Sequence, residues 1–461
     1  MSALPRLHHR TRIHVLGAEM LGRHIVHRAG LDAAEWPGYR QLPDLRDRLG
    51  ARPAPATLKI AVVAPMKAGK SSVVNALLGE RLLPVRDMAM TVTPISVQIR
   101  SGVHEPRLLA DEEAWLTVRS LAERLAKLGG GLLRLAGELP ETLPVVTSLR
   151  TGAWYPFPLT VSGTRAVYDR LVFASDVCRL AVTAGLVTGR VPAMRVVTGP
   201  PPELAGPTRA DACRIEFVDL PGPGEARLDA TLSAAVAEQL RTSDGVLIIL
   251  NYRHLQSVAQ EALAEEIAGW RQDRPHAPVL VAVNHIDERD EQHGRSDESI
   301  VAATLRAGGL TGEYADRIVK TCAVWANVAR SAGRLASGGR LTAAADEAAV
   351  LMRYAEPRAG AVRLAGVTTA ELVAHADDLW HDSGLPGLLD QVADVVAGAP
   401  QTILLRAVAD ADRHLGRVLA LLDGAGRLDP GLERTWRDQV QQLQADGTDL
   451  GDAIRASRSR G

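Results

Sequence analysis

The sequence predicts an α/β fold in which a mostly parallel β-sheet carries helices on both of its faces. Short apolar runs recur along the chain and each closes on a turn or a motif; they are residues 58–63, 95–99, 215–218, 245–250, 279–283 and 318–324. Amphipathic helical stretches separate several of these runs. Strands that are apolar throughout and alternate with helices are typical of a parallel sheet that is buried on both faces.

The composition is that of a globular protein with a sizeable core. Of the 461 residues, 46% are hydrophobic and 23% are charged, which excludes a wholly disordered or fibrous chain. The length predicts roughly two to three domains. The formal net charge of -1 shows no basic excess, so we expect no nucleic acid partner. Cys178, Cys213 and Cys322 lie too far apart for a disulfide framework or a four-ligand zinc site.

A helical segment is predicted at the start of the chain. Ile13, Leu16, Met20 and Ile25 recur at helical spacing before a Pro- and Gly-containing break at residues 50–55. The basic start lacks the apolar region of a secretory signal. Five histidines here have no cysteine or carboxylate partner in the sequence pattern, so we expect a solvated helix face rather than a metal site. They are His8, His9, His14, His24 and His27.

Two bundle helices are predicted after residue 398, with a frayed tail at 455–461. Their apolar stripes are Leu404, Val408, Ala411, Leu415, Val418 and Leu422, and then Leu432, Trp436, Val440 and Leu443. We therefore expect an N-terminal helical segment at 1–52, an α/β domain at 53–398 with an insertion at about 101–212, and C-terminal helices at 399–461.

A phosphate-binding loop follows the first apolar run. Residues 62–72 read Val-Val-Ala-Pro-Met-Lys-Ala-Gly-Lys-Ser-Ser between a predicted strand and a predicted helix. This is P-loop spacing, with an alanine where the first glycine is usual. In such a loop the backbone amides hold phosphates, the lysine contacts the β- and γ-phosphates, and the serine binds Mg²⁺. The alternative is a chance Gly-Lys-Ser at a helix start. The candidate residues are Ala64, Lys67, Ala68, Gly69, Lys70, Ser71 and Ser72.

Two downstream motifs have the order expected of a nucleotide-binding protein. Asp219 and Gly222 follow the run 215–218, where a carboxylate can hold a Mg²⁺-bound water and an amide can face the γ-phosphate. Alone, Asp-x-Pro-Gly is an ordinary turn. Asn284-His285-Ile286-Asp287 ends the run 279–283. The carboxylate of Asp287 could accept the two guanine N–H donors that adenine lacks. His285 replaces the usual lysine of such a motif, and an ordinary turn at the end of a strand remains an alternative.

Two weaker signals complete the candidate site. Cys322 follows Thr321 where related sites often have Ser-Ala near the guanine O6, although a core strand fits equally well. A threonine that closes on Mg²⁺ is needed between the P-loop and Asp219, and Thr91 and Thr93 are the candidates. The alternative for both is a threonine entering the strand at 95–99. The candidate metal ligands are thus Ser71, Thr91 and Asp219.

Together these residues resemble the dynamin superfamily, particularly the bacterial dynamin-like proteins. The similar segments are 66–79, 91–94, 219–222, 244–250 and 383–389, and Thr91 is preferred because Thr-x-x-Pro matches this resemblance. The long interval between Thr91 and Asp219 also fits, since G domains of this family carry extra elements there. The resemblance covers residues from about 55 to 398.

The resemblance implies a dynamin-type P-loop GTPase domain with a helical neck, using GTP and GDP, Mg²⁺ and, as one option, a monovalent cation. Lys67 stands where the family places a cation-binding residue or an internal arginine finger, so it is a candidate catalytic residue with Lys70 and Thr91. A solvated loop lysine is the alternative. The absence of a glutamine immediately after Gly222 agrees with the family pattern.

The resemblance also implies partners and a location. We expect self-association through the G domain, with a second dynamin-like protein as a further candidate partner, and a cytoplasmic location with peripheral contact to the inner face of the cell membrane. Direct support for membrane contact is small, because residues 125–149 fit a helical hairpin packed on the G domain better than an interfacial helix. A low-turnover nucleotide-binding scaffold and a cytosolic assembly GTPase remain alternatives.

Overall fold

The computed structural model describes residues 4–28, 49, 56–65, 67–85, 94–109, 112–154, 160–187, 193–205, 213–220, 239–254, 258–272, 274, 276–288, 317–356, 364–424 and 429–458. The strands are β1 (Ala56–Val63), β2 (Ile95–Ile99), β3 (Arg107–Leu109), β4 (Thr160–Ser162), β5 (Met194–Thr198), β6 (Cys213–Asp219), β7 (Gly245–Asn251), β8 (Val279–Asn284) and β9 (Ile318–Thr321).

The helices are α1 (Leu4–Arg28), α2 (Lys70–Leu78), α3 (Glu112–Ala126), α4 (Gly130–Glu138), α5 (Leu143–Thr151), α6 (Thr164–Thr183), α7 (Val258–Gln272), α8 (Ala323–Ser337), α9 (Asp346–Ala355), α10 (Thr369–Asp382), α11 (Leu385–Ala397), α12 (Ala399–Gly424) and α13 (Pro430–Arg458).

All of these strands form one sheet in the order β4-β3-β5-β2-β6-β1-β7-β8-β9. Neighbours from β6 to β9 run parallel, which confirms the predicted α/β architecture. The other half is mixed, because β2 runs antiparallel to β6 and β3 runs antiparallel to both β4 and β5. This mixed half is built between the P-loop and Asp219, in the interval where the sequence predicts an insertion.

The parallel half is buried on both faces because its strands are apolar at successive positions. Ile60 and Val62 of β1 belong to the same buried cluster as residues of α2 and α11. Ala61 and Val63 point to the opposite face and cluster with residues of α7. Alternate side chains of a strand point to opposite faces, so one apolar run supplies both layers.

The mixed half contains the strands that the sequence pattern does not reveal. β3 and β4 have three residues each, which is too short to show an alternating pattern of apolar residues, and both end residues of β3 are exposed. The predicted helical hairpin at 125–149 is present as α4 and α5. The predicted strand 318–324 is too long, since the strand ends at Thr321 and α8 begins at Ala323.

Helices α1, α12 and α13 pack against one another as a three-helix bundle, as predicted. Every residue of the predicted stripe on α12 is buried. The stripe predicted on α1 is partly wrong, because Ile13 and Met20 are 56% and 70% exposed. His14 is buried instead, with its Nε2 3.0 Å from Asp412 Oδ1 on α12, so the expectation of a solvated histidine face is wrong for this residue. The inward-facing side of α1 therefore includes the polar His14, which apolar spacing does not predict.

The tail and the longer helices show two further features. α13 continues to Arg458, so the prediction that the tail frays from residue 455 is wrong for 455–458. Within the described ranges, no single helix combines the length and apolarity needed to cross a bilayer. The helices α11 and α12 meet that test only as a pair, with a bend of 59° between them.

Candidate nucleotide-binding site

The loop between β1 and α2 has the backbone of a phosphate-binding loop. Gly69 precedes α2 with φ 79°, a left-handed conformation that glycine adopts without strain. A Cβ at Gly69 would lie 2.3 Å from Nδ2 of Asn284, so glycine is also needed for the close approach of that side chain. Lys67 is left-handed as well, with φ 62°. The first amides of a helix have no partner within the helix, so those that open α2 can hold an anion at its positive end.

Lys70, Ser71 and Asp219 meet at the carboxyl ends of β1 and β6. Lys70 Nζ lies 3.1 Å from Asp219 Oδ1, and the Ser71 hydroxyl donates a hydrogen bond of 3.1 Å to Asp219 Oδ2. The side chains of Lys70 and Asp219 are only 8% and 3% exposed. Their register explains the meeting, because β1 and β6 are parallel neighbours with Val62 opposite Asp219.

The Lys70–Asp219 contact is an ion pair with poor hydrogen-bond geometry. Lys70 Nζ and Asp219 Oδ1 are both buried and have no hydrogen-bond partner among the described residues. Buried polar atoms in native proteins are nearly always hydrogen-bonded, so an ammonium and a carboxylate left in this state mark a site for a further group. A phosphate for the ammonium, and Mg²⁺ for the carboxylate and the adjacent hydroxyl, fit this donor set.

Asn284 joins the P-loop to the end of β9. Its Nδ2 donates to the carbonyl of Ala68 at 2.9 Å, and its Oδ1 accepts from the amide of Ala323 at 2.9 Å. The side chain is buried, and it lies opposite Thr321 in the β8–β9 ladder. The side-chain amide of Asn284 thus links the phosphate-binding loop to the start of α8.

Asp287 and Cys322 form the edge where a purine base would be read. Asp287 is exposed, and its Oδ1 accepts a hydrogen bond from the Cys322 thiol at 3.1 Å. Burial, and secondarily Asp287, raises the pKa of this thiol well above its usual range, so it stays protonated as a donor. The amide of Cys322 donates to the carbonyl of Ser383 at 2.8 Å, just before α11.

Three supporting residues were not predicted from the sequence. Asn251, at the end of β7, donates from Nδ2 to the carbonyl of Lys67 at 2.9 Å and so holds the left-handed turn of the P-loop. Asn327 donates to the carbonyl of Ser72 at 2.9 Å. Gly384 is left-handed and would place a Cβ 1.9 Å from the carbonyl of Lys320, so only glycine fits beside β9. The position of Asn251 at a strand end is the signal that could have identified it.

The structure brings most of the predicted site residues together. Ala64 and Ala68 are buried in the loop, while Lys67 is exposed, and Ser72 lies in the first turn of α2. His285 follows Asn284 directly beside Gly69. Met66, Thr91 and Gly222 lie outside the described residues, and so does Thr93.

Comparisons with known proteins agree with this geometry. The sequence profile described as Dynamin family matches residues 60–284. The chain is 27% identical over 343 residues to "Clamp-binding protein CrfC" of Escherichia coli, and equally to that of strain K12, with 70% of this chain covered. The chain spans 44% of the length of these curated relatives.

Two solved chains are also similar. Both are described as an oligomerised bacterial dynamin pair for the long-range sensing and tethering of membranes, at 12% identity and TM-scores of 0.38 and 0.40. The alignments cover 90% and 96% of this chain, and 57% and 53% of those chains. The family match to residues 60–284 contains the P-loop, Asp219 and Asn284. Residues 60–284 are thus similar to the Dynamin family, and the chain as a whole is similar to the curated Escherichia coli relatives over 343 residues.

Proposed function

We propose that this chain binds GTP with Mg²⁺ and hydrolyses it to GDP and phosphate. The observation that carries the proposal is the pair of hydrogen bonds that joins Asn284 to Ala68 and Ala323. These bonds hold the phosphate-binding loop near the turn that carries the Asp287 carboxylate, a group suited to guanine. The match of residues 60–284 to the Dynamin family supports GTP binding and GTPase activity at the level of that family.

At the phosphate end, the amides of the P-loop and the Lys70 ammonium would hold the β- and γ-phosphates. The Ser71 hydroxyl would bind Mg²⁺ directly, and Asp219 would hold it through a water, with Thr91 as the further ligand. When bound, the metal neutralises charge on the phosphate oxygens. The buried and unsatisfied state of Lys70 Nζ and Asp219 Oδ1 supports these roles.

At the base end, the Asp287 carboxylate would accept the N1 and N2 donors of guanine. Adenine has no donor pair for it, so binding of adenine would leave the carboxylate unpaired and cost affinity. Cys322 and Asn284 would hold this edge of the site in place, and His285 would contribute from the P-loop side. The Gly222 amide would face the γ-phosphate.

For hydrolysis we propose electrostatic stabilisation by residues of the loop. The exposed Lys67 side chain projects from a left-handed backbone position that Asn251 holds through the Lys67 carbonyl. This ammonium, or a monovalent cation bound beside it, would neutralise charge that develops between the β- and γ-phosphates.

At the level of the whole chain, we propose a neck formed by residues 1–52 and 399–461 around a G domain at 53–398. The packing of α1 against α12 and α13 supports this grouping. We propose that the G domains pair with one another, or with a second dynamin-like protein, and that the chain acts peripherally on membranes from the cytoplasmic side.

A second candidate is an assembly GTPase that binds another protein and has no membrane role. The name of the Escherichia coli relatives, which describes a clamp-binding protein, favours this alternative. Co-sedimentation with anionic liposomes, with and without GTP, separates the two. Nucleotide-dependent pelleting supports membrane action, and no pelleting under either condition favours the alternative.

Phosphate release over a series of protein concentrations tests the proposed hydrolysis. We expect specific activity to rise with concentration, because G domains that pair would complete each other's sites. Lys67→Ala, compared in saturating GTP and K⁺, should lower kcat by about tenfold or more if the lysine neutralises transition-state charge. Lys127→Ala, an exposed lysine of the insertion, is the matched control. Turnover near zero at every concentration would leave a nucleotide-binding scaffold as the better description.

A further inference from the structure

Two helices of the bundle carry opposite charges on their exposed faces. α1 contains five arginines and a single carboxylate, Glu19, which is buried and pairs with Arg23 at 2.7 Å. Arg6, Arg10 and Arg28 are exposed and have no carboxylate on their own helix to balance them. The exposed face of α1 is therefore positively charged.

The exposed face of α13 carries the opposite charge. Between Arg437 and Arg455 this helix has no lysine or arginine, but it has four aspartates, all of which are exposed. They are Asp438, Asp446, Asp449 and Asp452. Asp452 pairs with Arg455, whereas Asp438 and Asp449 form no ion pair within the ranges that the structure describes. The exposed faces of α1 and α13 thus have complementary charge.

Two contacts show how α1 and α13 run past each other. A Cβ at Gly17 of α1 would lie 3.4 Å from Cδ2 of Leu443 in α13. The rings of His24 and Trp436 meet edge to face, with their centroids 5.9 Å apart. Seven residues forward along α1 thus match seven residues back along α13, so the two helices are antiparallel and keep one register.

In this register the opposite charges stand at the same levels along the bundle. The matching levels are those of Arg6 with Asp452, Arg10 with Asp449, and Arg23 with Asp438. None of these pairs is offset by more than two residues, or about 3 Å along a helix axis. Arg6 and Arg10 form no ion pair with these aspartates in the described part of the same chain, so their charges are available to a second molecule.

Between these charged levels, the outer surface is apolar on α1 and uncharged on α13. Ile13 and Met20 are 56% and 70% exposed, and they lie about two helical turns apart on one face of α1. At the same level α13 exposes Gln441, Gln442 and Ala445. An apolar centre with a charged rim is the usual organisation of an interface between proteins.

We propose that two copies of this chain pair side by side through their bundles, with α1 of each copy lying on α13 of the other. A two-fold axis parallel to the helices makes both contacts at once and keeps the levels, so each set of arginines faces a set of aspartates. Such an arrangement requires α1 and α13 to be neighbours, and they pack against each other in the bundle. The surface contains no residue of the candidate nucleotide site, so the pairing is separate from that of the G domains.

An anionic membrane is the other surface that a basic helix face with exposed apolar residues would attract. The aspartates of α13 favour a second copy instead. They lie on the adjacent helix at the levels of the arginines, and anionic lipids would repel them, whereas a second copy uses both faces.

The experiment measures the mass of the full chain by sedimentation equilibrium, without nucleotide and at low salt, where exposed charges are screened least. Arg6→Glu/Arg10→Glu makes both faces negative, and Asp449→Arg/Asp452→Arg makes both positive. The native chain should form a dimer, and each double variant should raise the dissociation constant by at least about tenfold, because like charges then face each other. Raising the salt to about 0.5 M should weaken the native dimer as well.

An equal mixture of the two double variants gives the sharpest readout. In a mixed pair, the negative α1 of one variant faces the positive α13 of the other, and the positive α1 faces the negative α13. The mixture should therefore return to dimers, although each variant alone stays monomeric. Circular dichroism of each variant checks that the fold is kept.

Arg134→Glu/Arg150→Glu, at exposed positions of the insertion, changes the net charge as much as Arg6→Glu/Arg10→Glu and should leave the dimer intact. A native chain that stays monomeric up to about 100 µM at low salt would overturn the proposal. A mixture that stays monomeric, or a dimer that neither double variant weakens, would also overturn it. Loss of co-sedimentation with phosphatidylglycerol vesicles in Arg6→Glu/Arg10→Glu, with no change in mass, would assign this face of α1 to a membrane instead.

Discussion

At the scale of single residues, the candidate site is held by side chains that bond to backbone groups of neighbouring loops. Asn251 fixes the carbonyl of Lys67, Asn284 fixes that of Ala68, and Asn327 fixes that of Ser72. Because three asparagine side chains restrain the same loop, the amides that would face the phosphates are oriented before a ligand arrives. Such preorganisation lowers the cost of binding.

Cys322 should matter for guanine binding through Asp287. Cys322→Ala removes the thiol that donates to the Asp287 carboxylate, and loss of one such hydrogen bond costs about 1 kcal/mol, or roughly fivefold in GTP affinity. Cys322→Ser restores a donor and should recover the affinity. Isothermal titration of GTP measures both.

The control for this prediction is Cys178→Ala, which removes a buried thiol from α6 in the insertion. It should leave GTP affinity unchanged. If Cys322→Ala and Cys322→Ser bind GTP as the native chain does, the thiol does not position Asp287.

Sequence patterns could identify the residues with fixed motif spacing but not those that support them. Gly69, Lys70, Asp219 and Asn284 follow strands at predictable points, and the structure brings them together. Asn251 also ends a strand, but no fixed motif spacing distinguishes it from other residues at strand ends. The left-handed turn of His285 could not be foreseen, because nothing in a histidine's identity specifies positive φ.

At the scale of elements, an arginine of the bundle links helix α12 to the sheet. Arg406 on α12 forms an ion pair with Asp244, at the start of β7, and donates to the carbonyl of Thr242 at 2.7 Å. Asp244 Oδ2 also accepts from the amide of Lys59 in β1 at 2.8 Å. Burial disfavours the guanidinium charge, but Asp244 and Asp410 outweigh it and raise the pKa of Arg406.

Removing this arginine should destabilise the protein strongly. Arg406→Ala leaves the fully buried Asp244 carboxylate without its counter-charge, a change that costs about 3–5 kcal/mol. The free energy of unfolding in urea, followed by circular dichroism, measures the effect.

Arg437→Ala supplies the comparison within the same bundle. Arg437 pairs with Asp423 and Glu433 at a solvent-exposed position, so its removal should barely move the unfolding midpoint. Equal losses of stability in the two variants would show that the Arg406–Asp244 pair is not a special attachment of α12 to the sheet.

Among the elements, apolar runs long enough to cross the core were predicted with nearly their observed bounds. The run 95–99 coincides with β2, and 279–283 falls one residue short of β8. β5 was missed because Arg195 interrupts it with a charge on the exposed face. In the bundle, the buried His14 pairs with the half-buried Asp412, so apolar spacing alone did not identify the packed face of α1.

At the scale of the whole molecule, the contact of the bundle with the sheet and the candidate site lie at opposite ends of the parallel strands. Arg406 pairs with Asp244, which directly precedes β7, whereas Asp219 and Asn284 are the last residues of β6 and β8. The helices α1, α12 and α13 meet in the bundle, and the Arg406–Asp244 ion pair joins this bundle to the sheet that carries the site.

The most direct test of the central claim is a calorimetric titration of GTP, GDP and ATP into the purified chain, into Lys70→Ala and into Asp287→Ala. Guanine nucleotides should bind the native chain at least about a hundredfold more tightly than ATP, because adenine leaves the Asp287 carboxylate unpaired. Asp287→Ala should abolish that difference, and Lys70→Ala should abolish binding of GTP. Equal binding of ATP and GTP by the native chain, or unchanged binding of GTP by Lys70→Ala, would contradict a site in which the P-loop holds the phosphates and Asp287 selects the base.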